Sequence, residues 1–174
     1  MTKHVVAVAI GVAVAGLVAV GVRAATEDVN LPANYQQTLR SFTVVDRADN
    51  GQVRVLFGSP AALDAAKAGQ PAPSGSVMVM EIYTAQRDAQ NQLLRGADGR
   101  LVRGPLANIF VMEKRNGWGA AYPAATRNGD WEYATFTPAG QRGENRDTTA
   151  CRTCHLPKAA NDFLQLPAAF LPGA

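Results

Sequence analysis

Polar and apolar residues change rhythm several times along the chain of 174 residues, and each change marks an element. The first is an unbroken apolar run from Val5 to Val22, preceded by Lys3. In "LPANYQQTLRSF" Pro32 stands near the start and Tyr35, Leu39 and Phe42 fall at helical spacing, which predicts a helix. "GQVRVLFG", between Gly51 and Gly58, alternates apolar and polar positions and predicts a strand. "SPAALDAAKAGQ" predicts a short helix with Ser59 as its cap, Pro60 in the first turn and Gly69 at the end. The turn-rich "PAPSG" leads into "SVMVMEIYTAQ", the strongest strand signal in the chain. "RDAQNQLLRGADGR" is polar, carries Ala-Asp-Gly turn chemistry and predicts an exposed hairpin loop. "ANIFVMEKR" and "DWEYATFT" predict two further strands, followed by the polar loop "PAGQRGENRD". The expected fold class is α+β: a mainly antiparallel sheet of four or more strands with a few short helices, one domain, preceded by an N-terminal hydrophobic helix.

The leader has the form of a secretory signal, with a basic start, an apolar core and the small-residue pair Val22 and Ala24 suited to cleavage after Ala24. Its apolar run is nearly long enough to span a bilayer, so an uncleaved anchor over residues 5–22 is the rival reading. Residues 1–25 are therefore expected to be a signal peptide or membrane anchor, and residues 26–174 the domain proper. Both readings place that domain outside the cytoplasm, in the periplasm. The leader also changes the meaning of the net charge. Its Lys3 and Arg23 account for two of the chain's +3, leaving a nearly neutral remainder without the clustered basic residues of a nucleic-acid binder.

The candidate chemistry lies close to the C-terminus, in "TTACRTCHLP". Cys151, Cys154 and His155 form C-x-x-C-H and use both cysteines of the chain. Two thiols at this spacing can each add to one vinyl group on a haem edge, and the adjacent histidine can reach the iron. A thioredoxin-like site would want a βαβ context that is missing here. Zinc would need about four ligands, and outside the leader the chain has two Cys and one His. A plain disulfide leaves the histidine without a reason. One covalently attached haem c, with His155 as the metal ligand, is the reading that uses all three residues. The other histidine, His4, lies in the leader, so the sixth iron position is left to Met78, Met80, Met112, a lysine, water or nothing. No methionine follows His155, unlike the short electron-transfer cytochromes with a downstream methionine ligand. A four-helix gas-binding cytochrome is at odds with the alternating strands.

Taken in order, "LPANY", "VRVLF", "GSVMVMEIY", "VMEK", "DWEYATF" and "CRTCH" resemble the cytochrome P-460 family, which includes the β-sheet cytochromes called cytochrome c′-beta. The likeness covers essentially the whole chain after the leader. It implies a mainly antiparallel sheet carrying one haem c, often as a homodimer, and binding of nitric oxide and related ligands. Members named for the P-460 chromophore also oxidise hydroxylamine. Carried over residue by residue, Cys151 and Cys154 match the thioether cysteines and His155 the proximal ligand. Arg54 falls where the family can present an arginine above the haem. The departure is in "GSVMVMEIY". Hydroxylamine-oxidising members have there a lysine bonded to the haem ring, whereas this chain has Met80, followed by Glu81. A thioether cannot form an amine–porphyrin bond, so the resemblance points to the cytochrome c′-beta branch.

Strand alternation places Met78, Met80 and Ile82 on one face and Val77, Val79 and Glu81 on the other. If the first is the haem face, Met80 lays a soft, polarisable side chain against the porphyrin, which is also ordinary core packing. Arg54 is expected either as a solvated outward charge or as a hydrogen-bond donor to an iron-bound ligand. Trp118, Trp131, Tyr133 and Phe136 are expected in the core and the pocket wall. Lys114 is read as structural, and it and Lys67 are the amines to suspect should a cross-link exist. The leading expectation is a periplasmic monohaem cytochrome that binds a small gaseous ligand. The alternatives are a hydroxylamine or nitric oxide oxidoreductase and a membrane-anchored electron-transfer subunit.

Overall fold

Five strands form one antiparallel sheet in which every strand pairs with its neighbour in sequence. In the computed structural model, which describes residues 28–144 and 147–172, they are β1 (Arg40–Arg47), β2 (Gln52–Gly58), β3 (Val77–Ala85), β4 (Arg103–Lys114) and β5 (Trp131–Phe136). The helices are α1 (Tyr35–Thr38), α2 (Pro60–Lys67) and α3 (Thr149–His155). The α+β expectation is met. The hydrophobic N-terminal helix lies outside the described residues. Among the described residues, no helix is long and apolar enough to cross a membrane.

Four strands and α2 fall where the alternation and cap signals put them. The first segment differs. The helix predicted around Tyr35, Leu39 and Phe42 stops at Thr38, and the chain is extended from Arg40. The β-branched run Thr43-Val44-Val45 suits a pleated strand better than a helix, and pairing with β2 satisfies its backbone groups. The turn joining β1 to β2 ends at Gly51, whose φ of +65° is a conformation that glycine adopts without steric cost.

Register assigns the side chains to two faces. Val55, Phe57, Val79, Ile109, Val111, Ala134 and Phe136 form one apolar cluster, capped by Val29 and Tyr35. Glu81 belongs to this face and is 1 % exposed. It accepts hydrogen bonds from Tyr35 Oη at 2.6 Å, Gln36 Nε2 at 2.5 Å and Tyr83 Oη at 2.8 Å. Those bonds offset the cost of burying a carboxylate. On the opposite face Gly58, Met78, Met112 and Tyr133 stand in one row across β2 to β5, and Leu56, Met80, Phe110 and Thr135 in the next. The first row is covered by α2, Trp131 and Leu164, in a second buried cluster. All four residues of the next row remain only half-buried.

Candidate functional site

Helix α3 carries the cysteine motif. Residues three and four apart share one side of a helix, which brings Cys154 and His155 onto the side of Cys151. Arg152 is 3 % exposed and forms a 2.6 Å ion pair with Glu132 of β5, itself fully buried. Its guanidinium lies over the Tyr122 ring at 3.3 Å, and Tyr122 Oη donates to the same Glu132 oxygen at 3.1 Å. This buried pair ties α3 to the edge strand. Removing one partner of such a pair typically costs about 3–5 kcal/mol.

The three motif side chains differ in setting. Cys151 is half-buried against the cluster of Met78, Met112, Trp131, Tyr133 and Leu164, and burial pushes its thiol pKa up. Cys154 is exposed and accepts a hydrogen bond at Sγ from Gln165 Nε2 at 3.0 Å. Both are free thiols. His155 lies half-buried with its ring 5.3 Å from that of Tyr133, tilted by 56°. Burial lowers its pKa, and the Phe163 carbonyl opposes this, so the neutral imidazole is favoured near pH 7. Nδ1 lies 2.6 Å from Phe163 O. A carbonyl only accepts, so Nδ1 carries the hydrogen and Nε2 keeps its lone pair for another acceptor role.

Tyr133 stands in register with Met112 and Met78, which puts His155 on the Met80 side of the sheet. Arg54 is on that side too, in register with Ile82. It is half-buried rather than fully solvated, and Nε and Nη2 donate to Gln52 Oε1 at 3.2 and 2.9 Å. Burial lowers its pKa, and Cys154 lies within electrostatic reach of it. The sequence-predicted residues Cys151, Cys154, His155, Arg54 and Met80 thus share one side of one sheet. Met78 and Met112 are packed into the covered row, each 8 % exposed. Among the aromatic residues, Trp131 and Tyr133 border the site, while Phe136 and Trp118 pack into the opposite face. Lys114 is held by Asp162 at 2.8 Å, and Lys67 lies over the Phe170 ring.

Several participants carry no sequence signal. Phe163 acts through its carbonyl, Asp162 through contacts to remote elements, and Gln165 and Glu132 through pairs set only by the fold. Among the described residues no three His, Cys, Asp or Glu side chains gather into a metal-holding group of their own. A cleft of about 370 Å³ beside β1, lined by Val44, Asp46, Val53, Arg100 and Leu101 among others, contains none of the motif residues. Its Asp46 carboxylate is already engaged by Arg100 and the Leu101 backbone.

No curated protein matches the chain. Among protein-family models, Cytochrome P460 matches residues 32–165, a span running from just before α1 through all five strands and α3 to Gln165. The chain belongs to the cytochrome P460 family.

Proposed function

We propose that this haem c cytochrome carries one haem, bonded through Cys151 and Cys154 and ligated by His155, and binds nitric oxide or a similar small ligand in the periplasm. The observation that carries the reading is the state of His155. Its Nδ1 is committed to the Phe163 carbonyl, which leaves Nε2 for the iron, on the side of the sheet that carries the half-buried Leu56, Met80 and Phe110. The donor set fits the group: two free thiols and a neutral imidazole on one side of one helix, next to a partly covered apolar face. When bound, haem iron supplies a coordination site for a diatomic ligand.

The chain's own residues would do the rest. Tyr133 and the Phe163 carbonyl orient the imidazole. Leu56, Met80 and Phe110 supply an apolar wall that disfavours water and anions relative to small neutral ligands. Arg54 offers a guanidinium on the same side, able to donate a hydrogen bond to a polar ligand atom. Met80 in place of a cross-linking lysine, with Lys114 engaged by Asp162 and Lys67 by Phe170, favours ligand binding over hydroxylamine oxidation and supports the cytochrome c′-beta branch. A signal peptide or anchor in residues 1–25 would deliver the domain across the membrane.

The absorption spectrum of the purified ferrous holoprotein, recorded with and without nitric oxide, tests this. A five-coordinate spectrum that changes on adding the gas is expected. A low-spin, methionine-ligated spectrum indifferent to the gas would contradict ligand binding and favour electron transfer instead.

A further inference from the structure

Asp162 and Phe163 are consecutive non-glycine residues with φ of +50° and +62°. A left-handed conformation is uncommon for any residue with a side chain, and a bulky Phe there persists only when its surroundings over-determine it. The surroundings do so from both sides. The Asp162 carboxylate accepts from Lys114 Nζ at 2.9 and 2.8 Å, from the Ala72 backbone at 2.9 Å and from Trp131 Nε1 at 3.3 Å. Those donors come from β4, from the loop before β3 and from β5. The Lys114 and Asp162 side chains are only 13 % and 14 % exposed, so this pair is better screened from water than the surface ion pairs. On the other side the Phe163 ring rests on Gly129, where a Cβ would come within 3.1 Å of it.

The product of this clamp is the direction of one carbonyl, the Phe163 oxygen that receives His155 Nδ1–H. Partners of a ligating histidine's second nitrogen fix its tautomer and ring orientation and raise its basicity. We propose that Asp162, with Lys114 as its counter-charge, is a positioning residue for His155: it fixes the left-handed turn, and through the Phe163 carbonyl it tunes the histidine's strength as an iron ligand. The inference rests on the reading of His155 as that ligand.

The test uses haem-loaded holoprotein. Asp162→Gly keeps a residue suited to the left-handed backbone and deletes the carboxylate. Lys114→Met deletes only the cation and leaves Ala72 and Trp131 on Asp162. Asp162→Asn keeps an acceptor oxygen and a tolerance for positive φ. The readouts are the iron–histidine stretching band in resonance Raman spectra of the ferrous protein and the reduction potential. Asp162→Gly is expected to lower and broaden the band and raise the potential, because a less basic histidine stabilises ferric iron less. Lys114→Met should shift both in the same direction by less, and Asp162→Asn should recover much of the wild-type signal. Wild-type band and potential in both Asp162→Gly and Lys114→Met, whatever their melting temperatures, would overturn the proposal. Should Asp162→Gly not retain haem, Lys114→Met alone decides it. Absence of any iron–histidine band in the wild-type protein would instead overturn the ligand assignment of His155.

Discussion

Phe57 on β2 and Phe110 on β4 are the same side chain on opposite faces of one sheet. Phe57 is 7 % exposed and meets Tyr35 edge to face, with ring centroids 5.6 Å apart. Phe110 is half-buried in a row with Leu56, Met80 and Thr135. The closed face is finished by the chain itself: Val29, Tyr35 and α1 cover it, and its buried acid Glu81 is met by three donors. The other face is finished only at one end, where α2, Leu164 and α3 cover Met78 and Met112. The difference separates what holds the fold from what is kept for chemistry. Apolar side chains left half-covered beside a cysteine–histidine helix are the feature expected of a cofactor wall, since a large planar group can take over the burial that the chain does not supply.

The contrast can be broken by matched substitutions. Phe57→Ala should destabilise the protein by about 3–5 kcal/mol whether or not haem is loaded. Phe110→Ala should cost about 1 kcal/mol in haem-free protein, because less area leaves water there on folding, and distinctly more in holoprotein. Urea unfolding of both variants in both states measures this. Equal losses for Phe57→Ala and Phe110→Ala without haem would erase the distinction between the faces.

A smaller effect sharpens the closed face. Burial, followed by the hydrogen bond to Glu81 and its charge, pushes Tyr83 up to about 12, and the same causes raise Tyr35. Unfolded tyrosines titrate near pH 10, so the folded protein holds these protons more tightly. The resulting stabilisation is complete below about pH 10 and fades as the pH rises through about 12. Denaturant midpoints should fall across that window, and Tyr83→Phe should make the fall shallower. A flat profile in the wild-type protein would contradict the hydroxyl–carboxylate cluster.

Much of this architecture was legible in the sequence because it rests on local pattern. Alternation located β2 to β5, and Ser59, Pro60 and Gly69 bracketed α2. The strand β1 was hidden because Tyr35, Leu39 and Phe42 mimic a helical stripe, while its Val44 and Val45 are both about 38–39 % exposed and give no alternation. Cys151, Cys154 and His155 were readable because the chemistry of the group fixes their spacing. The Phe163 carbonyl was not, since any residue supplies a carbonyl and only the fold aims it. Asp162 was equally silent: its partners Ala72, Lys114 and Trp131 lie 31 to 90 residues away in sequence. The Arg152–Glu132 pair, 20 residues apart, belongs to the same class.

The central claim is that the partly covered face holds a haem bonded through both cysteines of α3, and the intact mass of denatured holoprotein tests it most directly. The expected mass is that of the polypeptide plus one haem, which resists acid extraction, with neither Cys151 nor Cys154 open to alkylation. A polypeptide that loses its haem on denaturation and alkylates at both thiols would contradict the account.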